Sequence, residues 1–170
     1  MVEKDTIIKE EFRYDGIAEF KKFYEYAHNW LKDEDYLVYE EKYEEQLKGD
    51  AKELRIKWTC NKKITDYFRI ALELKWQLLN MRDVEVEIDG KKKKMNKFSE
   101  LKINIKGVLE KDYSSKWGAG GFNKFLKEMY DKYIIPKRTE EMENKVIEIV
   151  QNFKEEMKAY LDLTARRFKP

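Results

Sequence analysis

Large apolar residues stand at every second position from Phe68 to Leu78: Phe68, Ile70, Leu72, Leu74, Trp76 and Leu78. Arg69, Ala71, Glu73, Lys75 and Gln77 fill the gaps between them. A period of two puts the apolar row on one face of a pleated strand, whereas a helix would scatter the same residues around its circumference. The stretch is therefore a strand with one face in a core and one face wet. A strand of this kind needs strands beside it and a layer over its apolar face.

The flanking sequence supplies both. Thr6, Ile8, Phe12 and Tyr14 alternate, with Glu10 in the same register, which predicts a strand over 5–14 ending at Asp15-Gly16. From Ile17 the period changes. Phe20, Phe23, Tyr24, Ala27, Trp30 and Leu31 recur at helical spacing and predict an amphipathic helix over 17–33. Residues 36–113 read as antiparallel strands joined by tight turns at Gly49-Asp50, Leu79-Asn80-Met81 and Asp89-Gly90, with Gly107 marking a bulge or bend. A helical region over 121–166 follows, broken or kinked at Pro136, with Met142, Val146, Ile149, Val150, Phe153 and Met157 on its apolar side. The expected architecture is one α+β domain over 1–170. One N-terminal helix and a long, Pro-kinked C-terminal helix accompany a curved antiparallel sheet of about six or seven strands that grips the second helix.

This order resembles the helix-grip fold of the START and Bet v 1-like superfamily, in topology and over nearly the whole chain. That resemblance implies a cavity between sheet and C-terminal helix, and first and last strands that are neighbours. The phrases KITDYFRIALELKW, NMRDVEVEIDGKKKKMNK and MYDKYIIPKRTEEMENKV also resemble an uncharacterised protein family of small-genome archaea. No activity comes with that second resemblance.

Bulk properties narrow the setting. Charged residues make up 41% of the 170, with 36 basic against 34 acidic and a net charge of +2, so charge alone points to neither nucleic acid nor membrane. The Lys- and Glu-rich balance leans towards a heat-adapted source. Cys60 is the sole cysteine, which excludes an internal disulfide and suits a reducing cytoplasm. The N-terminus has no apolar secretory segment, and no run is long enough to cross a bilayer.

No catalytic signature stands out. Gly118-Ala119-Gly120-Gly121 lacks the spacing of a phosphate loop. His28 and Cys60 lack the companions that a triad or zinc site requires, so neither catalytic nor metal-binding residues nor a cofactor are expected. Asp83, Glu85, Glu87 and Asp89 share one strand face and read as solvated. Lys91, Lys92, Lys93, Lys94 and Lys97 form a basic hairpin tip, a candidate basic surface with no aromatic stacking motif beside it, so nucleic acid is disfavoured as its partner. Glu10 and Glu41 interrupt apolar rows, and Lys111 interrupts another. A carboxylate on a core face is costly unless it is paired or wet. With the helix-grip resemblance, Glu10, Tyr39, Glu41, Tyr43, Trp58 and Trp76 become candidate ligand-binding residues, and Glu10 could meet Lys111. The functional expectation is non-enzymatic binding of an apolar or amphipathic small molecule between sheet and C-terminal helix. The alternative is a solid-cored module for protein or nucleic-acid interaction, compatible with a homodimer.

Overall fold

The computed structural model describes residues 2–113, 124–125, 128–129, 132 and 135–167. Among them the chain runs β1 (Glu3–Ala18), α1 (Phe20–Asp33), β2 (Leu37–Lys48), β3 (Ala51–Lys63), β4 (Phe68–Ile88), β5 (Lys91–Lys111) and α2 (Ile135–Arg167). The fold is α+β, with one open antiparallel sheet ordered β1-β5-β4-β3-β2. No helix among the described residues is long and apolar enough to cross a membrane.

The strand count corrects the expectation of about six or seven; among the described residues the sheet has five. Leu79-Asn80-Met81 is not a turn. Asn80 takes a left-handed φ of 51°, its side-chain amide donates to Ser99 Oγ at 3.1 Å, and the pairing resumes at Arg82↔Lys97 in the register of Leu79↔Glu100. Asparagine tolerates that conformation, so the ladder passes through what looks locally like a break. Two expected strands thus fuse into β4, and the short arm at Lys91–Met95 runs on into β5. Asp89-Gly90 does turn the chain, both residues at positive φ, as a tight two-residue hairpin requires.

Asp15-Gly16 likewise bends a strand rather than ending it. The register shifts between Tyr14 and Gly16, Gly16 takes φ 143°, and β1 continues to Ala18. Ile17 therefore belongs to the strand, and α1 starts at Phe20 instead of 17. Glu19 gives α1 no side-chain cap. Asn96 of β5 substitutes, its Oδ1 accepting from the Phe20 N–H at 3.1 Å and so satisfying one of the orphan donors of the first turn.

One face of the sheet carries the core. Leu54, Ile56, Trp58 and Cys60 of β3, the β4 row, and Leu101, Ile103, Ile105 and Leu109 of β5 are all buried. Phe23, Ala27 and Leu31 of α1 and Val146, Val150, Phe153 and Met157 of α2 join them in one contiguous cluster. At Gly107 the helix comes close: a Cβ built there would stand 2.6 Å from Val146 Cγ1. The expected bulge is also present, on the partner strand, where β1 slips register between Thr6 and Ile8 opposite Gly107. Residues 133–134, on which a kink at Pro136 depends, lie outside the described set, as does the Gly118–Gly121 loop.

Candidate functional site

The other sheet face is covered by no described helix. Alternation sends Arg55, Lys57 and Thr59 of β3, Glu73, Lys75 and Gln77 of β4, and Lys102, Asn104 and Lys106 of β5 to it. Across the strands Lys42 lies opposite Lys57, Lys57 opposite Lys75, and Lys75 opposite Asn104. Two successive like-charged pairs on one face are destabilising. They border an open depression of about 620 Å³ whose lining includes Lys42, Arg55, Lys57, Lys75, Gln77 and Asn104.

Most charges on this face are matched. Lys57 Nζ sits 3.4 Å from both Glu41 and Glu73, and hydrogen bonds to Glu73 and then Glu41 hold its pKa above the ordinary lysine value. Glu41 is held below the ordinary carboxylate value, first by a hydrogen bond from Thr59 and then by Lys57. Glu73 is shared with Lys106 at 3.9 Å. Lys42 meets Glu44 at 3.2 Å, and Arg55 meets Glu53 at 3.2 Å. Lys75, exposed on the middle strand, has no ion pair among the described residues. Its neighbours across both ladders offer a second cation and an amide. Lys75→Glu should therefore raise the thermal midpoint by about 1–3 °C, because it converts the Lys57↔Lys75 clash into an opposite-charge pair. A scanning-calorimetry midpoint below wild type would show that the row carries no strain.

Of the residues singled out from the sequence, Tyr43, Trp58 and Trp76 gather around Tyr24 on the core side, whereas Tyr39, Glu41 and Glu10 lie elsewhere. A bulge at Glu41, between the pairs Glu40↔Trp58 and Lys42↔Lys57, splits the β2 row. Tyr39 and Glu41 consequently lie on the open face, while Tyr43, opposite Ile56, lies on the core side near Tyr24. Glu10 keeps to the core side of β1, but its partner is Lys154 of α2 at 3.1 Å. Lys111 pairs instead with Asp5 at 3.3 Å, so the expected Glu10–Lys111 meeting does not occur. Trp58 and Trp76 are buried with ring centroids 5.0 Å apart, and Trp58 Nε1–H donates to the Tyr24 hydroxyl at 2.7 Å.

Three lysines of the basic hairpin have acidic neighbours. Lys92 faces Glu87, Lys94 faces Glu85 and pairs with Asp83 at 3.2 Å, and Lys93 reaches Glu19 at 3.1 Å. Lys91 faces Ile88 at the tip, and Lys97 faces Arg82. The open-face cluster of Lys42, Arg55, Lys57 and Lys75 had a signal in sequence only as the wet positions between apolar ones. Their mutual register depends on strand pairing.

His28 lies edge-on to Trp58, with centroids 5.9 Å apart. Among the described residues no three His, Cys, Asp or Glu side chains are placed to hold a metal ion. Cys60 is buried, and burial alone pushes its thiol up to about 12 from 9.0. It should stay silent to aqueous thiol reagents until the chain unfolds. The pH dependence follows. Below the unfolded value of 9.0 neither state ionises; from there upward the unfolded thiol loses its proton while the folded one keeps it, so stability falls as pH rises. Burial raises the Tyr24 and Tyr36 phenols as well, so the decline should steepen above their unfolded value of 10.0. A urea midpoint that stays flat from about pH 8 to about pH 10.5 would contradict this.

No protein-family model matches the chain, and comparison with characterised proteins and with solved structures finds no match.

Proposed function

We propose that the protein is a non-enzymatic binding module whose working surface is the open sheet face and whose partner is anionic. The observation that carries this reading is the cross-strand row Lys42–Lys57–Lys75 beside the depression of about 620 Å³, with no carboxylate paired to Lys75 among the described residues. Folding does not benefit from opposed lysines on adjacent strands, whereas a bound anion would relieve them. The interior also favours a surface role, since Trp58, Trp76 and Tyr24 occupy the region where a guest was expected. The adjacency of β1 and β5 supports the helix-grip resemblance, from which five strands are a departure.

The test is an amide-resolved NMR titration with inorganic tripolyphosphate at low ionic strength. Shifts gathered at Lys42, Arg55, Lys57, Lys75, Gln77 and Asn104 are expected. Shifts centred on Lys91–Lys94, or spread evenly over all lysines, would sink the reading.

A second reading, a small apolar or amphipathic molecule held between sheet and α2, is favoured by one crevice. It measures about 220 Å³ and is lined by Tyr36, Ile64, Ile70 and Ile149 together with Glu34, Lys62, Lys145, Glu148 and Asn152. Ligand pockets for drug-sized molecules run to about 300–1,000 Å³, so its occupant would be small. Native mass spectrometry of the protein from its own source tests this; a bare polypeptide mass counts against it.

A further inference from the structure

We infer that the anion accepted by the open face is a linear phosphodiester chain, a single strand of nucleic acid lying along a trough across the sheet. This rests on the anionic-partner reading and adds the class of partner.

Three features of the face carry it. The first is shape. The depression of about 620 Å³ shares Lys75 and Asn104 with a second of about 410 Å³ and Lys57 with a third of about 370 Å³; these two share Glu73 and Lys106. Together they form a trough from β2 to β1, longer than a compact anion can use. Cations recur along it, from Lys42 through Lys57, Lys75 and Lys106 to Lys9 and Lys4, interleaved with Glu11, Glu73 and Glu110, the last 3.6 Å from Lys4. Phosphates repeated along one backbone match that distribution.

The second feature is chemistry. Ala71 and Val108 are the apolar side chains in the middle of this face, and the large exposed ones, Leu37 and Tyr39, stand only at its β2 edge. Protein partners are usually anchored by aromatic or other bulky groups in desolvated pockets. Surfaces for nucleic acid are polar, cationic and wet. Gln77 and Asn104 make no side-chain hydrogen bond among the described residues, which leaves amide donors and acceptors for base edges or sugars.

The third is the rim. Tyr39, expected to line an internal cavity, stands on this face opposite Thr59 and is 53% exposed. An exposed ring beside a cationic trough is a stacking platform for an unpaired base. No described helix projects from the face to enter a groove, so a strand with bases already splayed fits better than a duplex. Glu41 and Glu73 hold lysines at 3.4 to 3.9 Å, and a phosphate can replace them without moving the backbone.

The experiment is fluorescence anisotropy on the full chain with labelled oligo-dT and oligo-rU, against poly-L-glutamate and tripolyphosphate, over a salt series. Saturable oligonucleotide binding is expected, weakening with salt at a log–log slope of about −2 to −4, as three to five neutralised phosphates would give. The double variant Lys42→Glu/Lys75→Glu should lose tenfold or more while its melting midpoint stays at or above wild type. Tyr39→Ala should weaken binding a few-fold with the salt slope unchanged. Replacing Lys91–Lys94 by Gln should leave affinity intact. If poly-L-glutamate binds as tightly with the same slope, the nucleic-acid assignment is overturned and the anionic face stands. If the double variant binds like wild type while the hairpin variant does not, or if no anion binds, both fall.

Discussion

Gly107→Val should unfold the protein at a clearly lower temperature, and Gly107→Ala should already do so in part. A Cβ at this position would stand 2.6 Å from Val146 Cγ1, 2.9 Å from Val150 Cγ2 and 3.0 Å from Ile8 Cγ2. Valine and isoleucine side chains are stiff, and both helix neighbours sit in the centre of the α2 contact, so none of the three can swing aside. The position is strand backbone without a positive φ, where an added methyl group would ordinarily help by restricting the unfolded chain. The sign of the effect is therefore diagnostic. Overpacking of this kind costs about 1–3 kcal/mol for alanine and more for valine. The companion measurement is a double-mutant cycle with Val146→Ala. The small residue on α2 vacates the space the new Cβ needs, so the pair should be less damaging than the sum of the singles by about 0.5–3 kcal/mol. Additive urea midpoints would mean that α2 does not rest on Gly107.

Trp58→Ala should cost about 3–5 kcal/mol, as truncation of a fully buried large ring does. Trp58 is in ring contact with Tyr24 and Trp76, with centroids at 4.9 and 5.0 Å, and His28 closes the third side at 5.9 Å. Added indole should recover part of the lost melting temperature, because the cavity left behind is apolar and matched to it in shape. Phenylalanine substitutions separate packing from polarity. Trp58→Phe leaves the Tyr24 hydroxyl without its donor, whereas Trp76 Nε1 has no acceptor among the described residues, so Trp76→Phe removes a cost as well as a contact. Trp58→Phe should be the more damaging by about 1 kcal/mol. This also decides between solid core and cavity. A Trp58→Ala loss below about 1 kcal/mol would mean that the ring borders open space rather than filling it.

Much of the framework was legible from spacing. The β4 row from Phe68 to Leu78 is buried at every apolar position, and the stripes of α1 and α2 enter the core as their periods demand. What misled was punctuation. Asn80 and Gly16 carry residue types that end strands, yet here they bend strands that continue. A residue able to adopt positive φ permits a turn without requiring one; whether a partner strand is present to carry the ladder onward decides. The bulge at Glu41 misled in the same way, by moving Tyr39 and Tyr43 to opposite faces.

The sequence by itself determined the inner row of β4 over Phe68–Leu78 and the inner stripes of α1 and α2, because a period of two or of 3.6 is a property of the local backbone and needs no knowledge of neighbours. It determined that the even positions of β4 from 68 to 78 face a core and that Arg69, Glu73, Lys75 and Gln77 face away from it. Only the tertiary structure decided which wet residues meet. Lys42, Lys57 and Lys75 are far apart along the chain and side by side across β2, β3 and β4, because hydrogen-bond register joins them. Register is set by turns and bulges several residues away, and a shift of one place would reverse every face. The same holds for Glu10, whose partner Lys154 lies 144 positions later on α2.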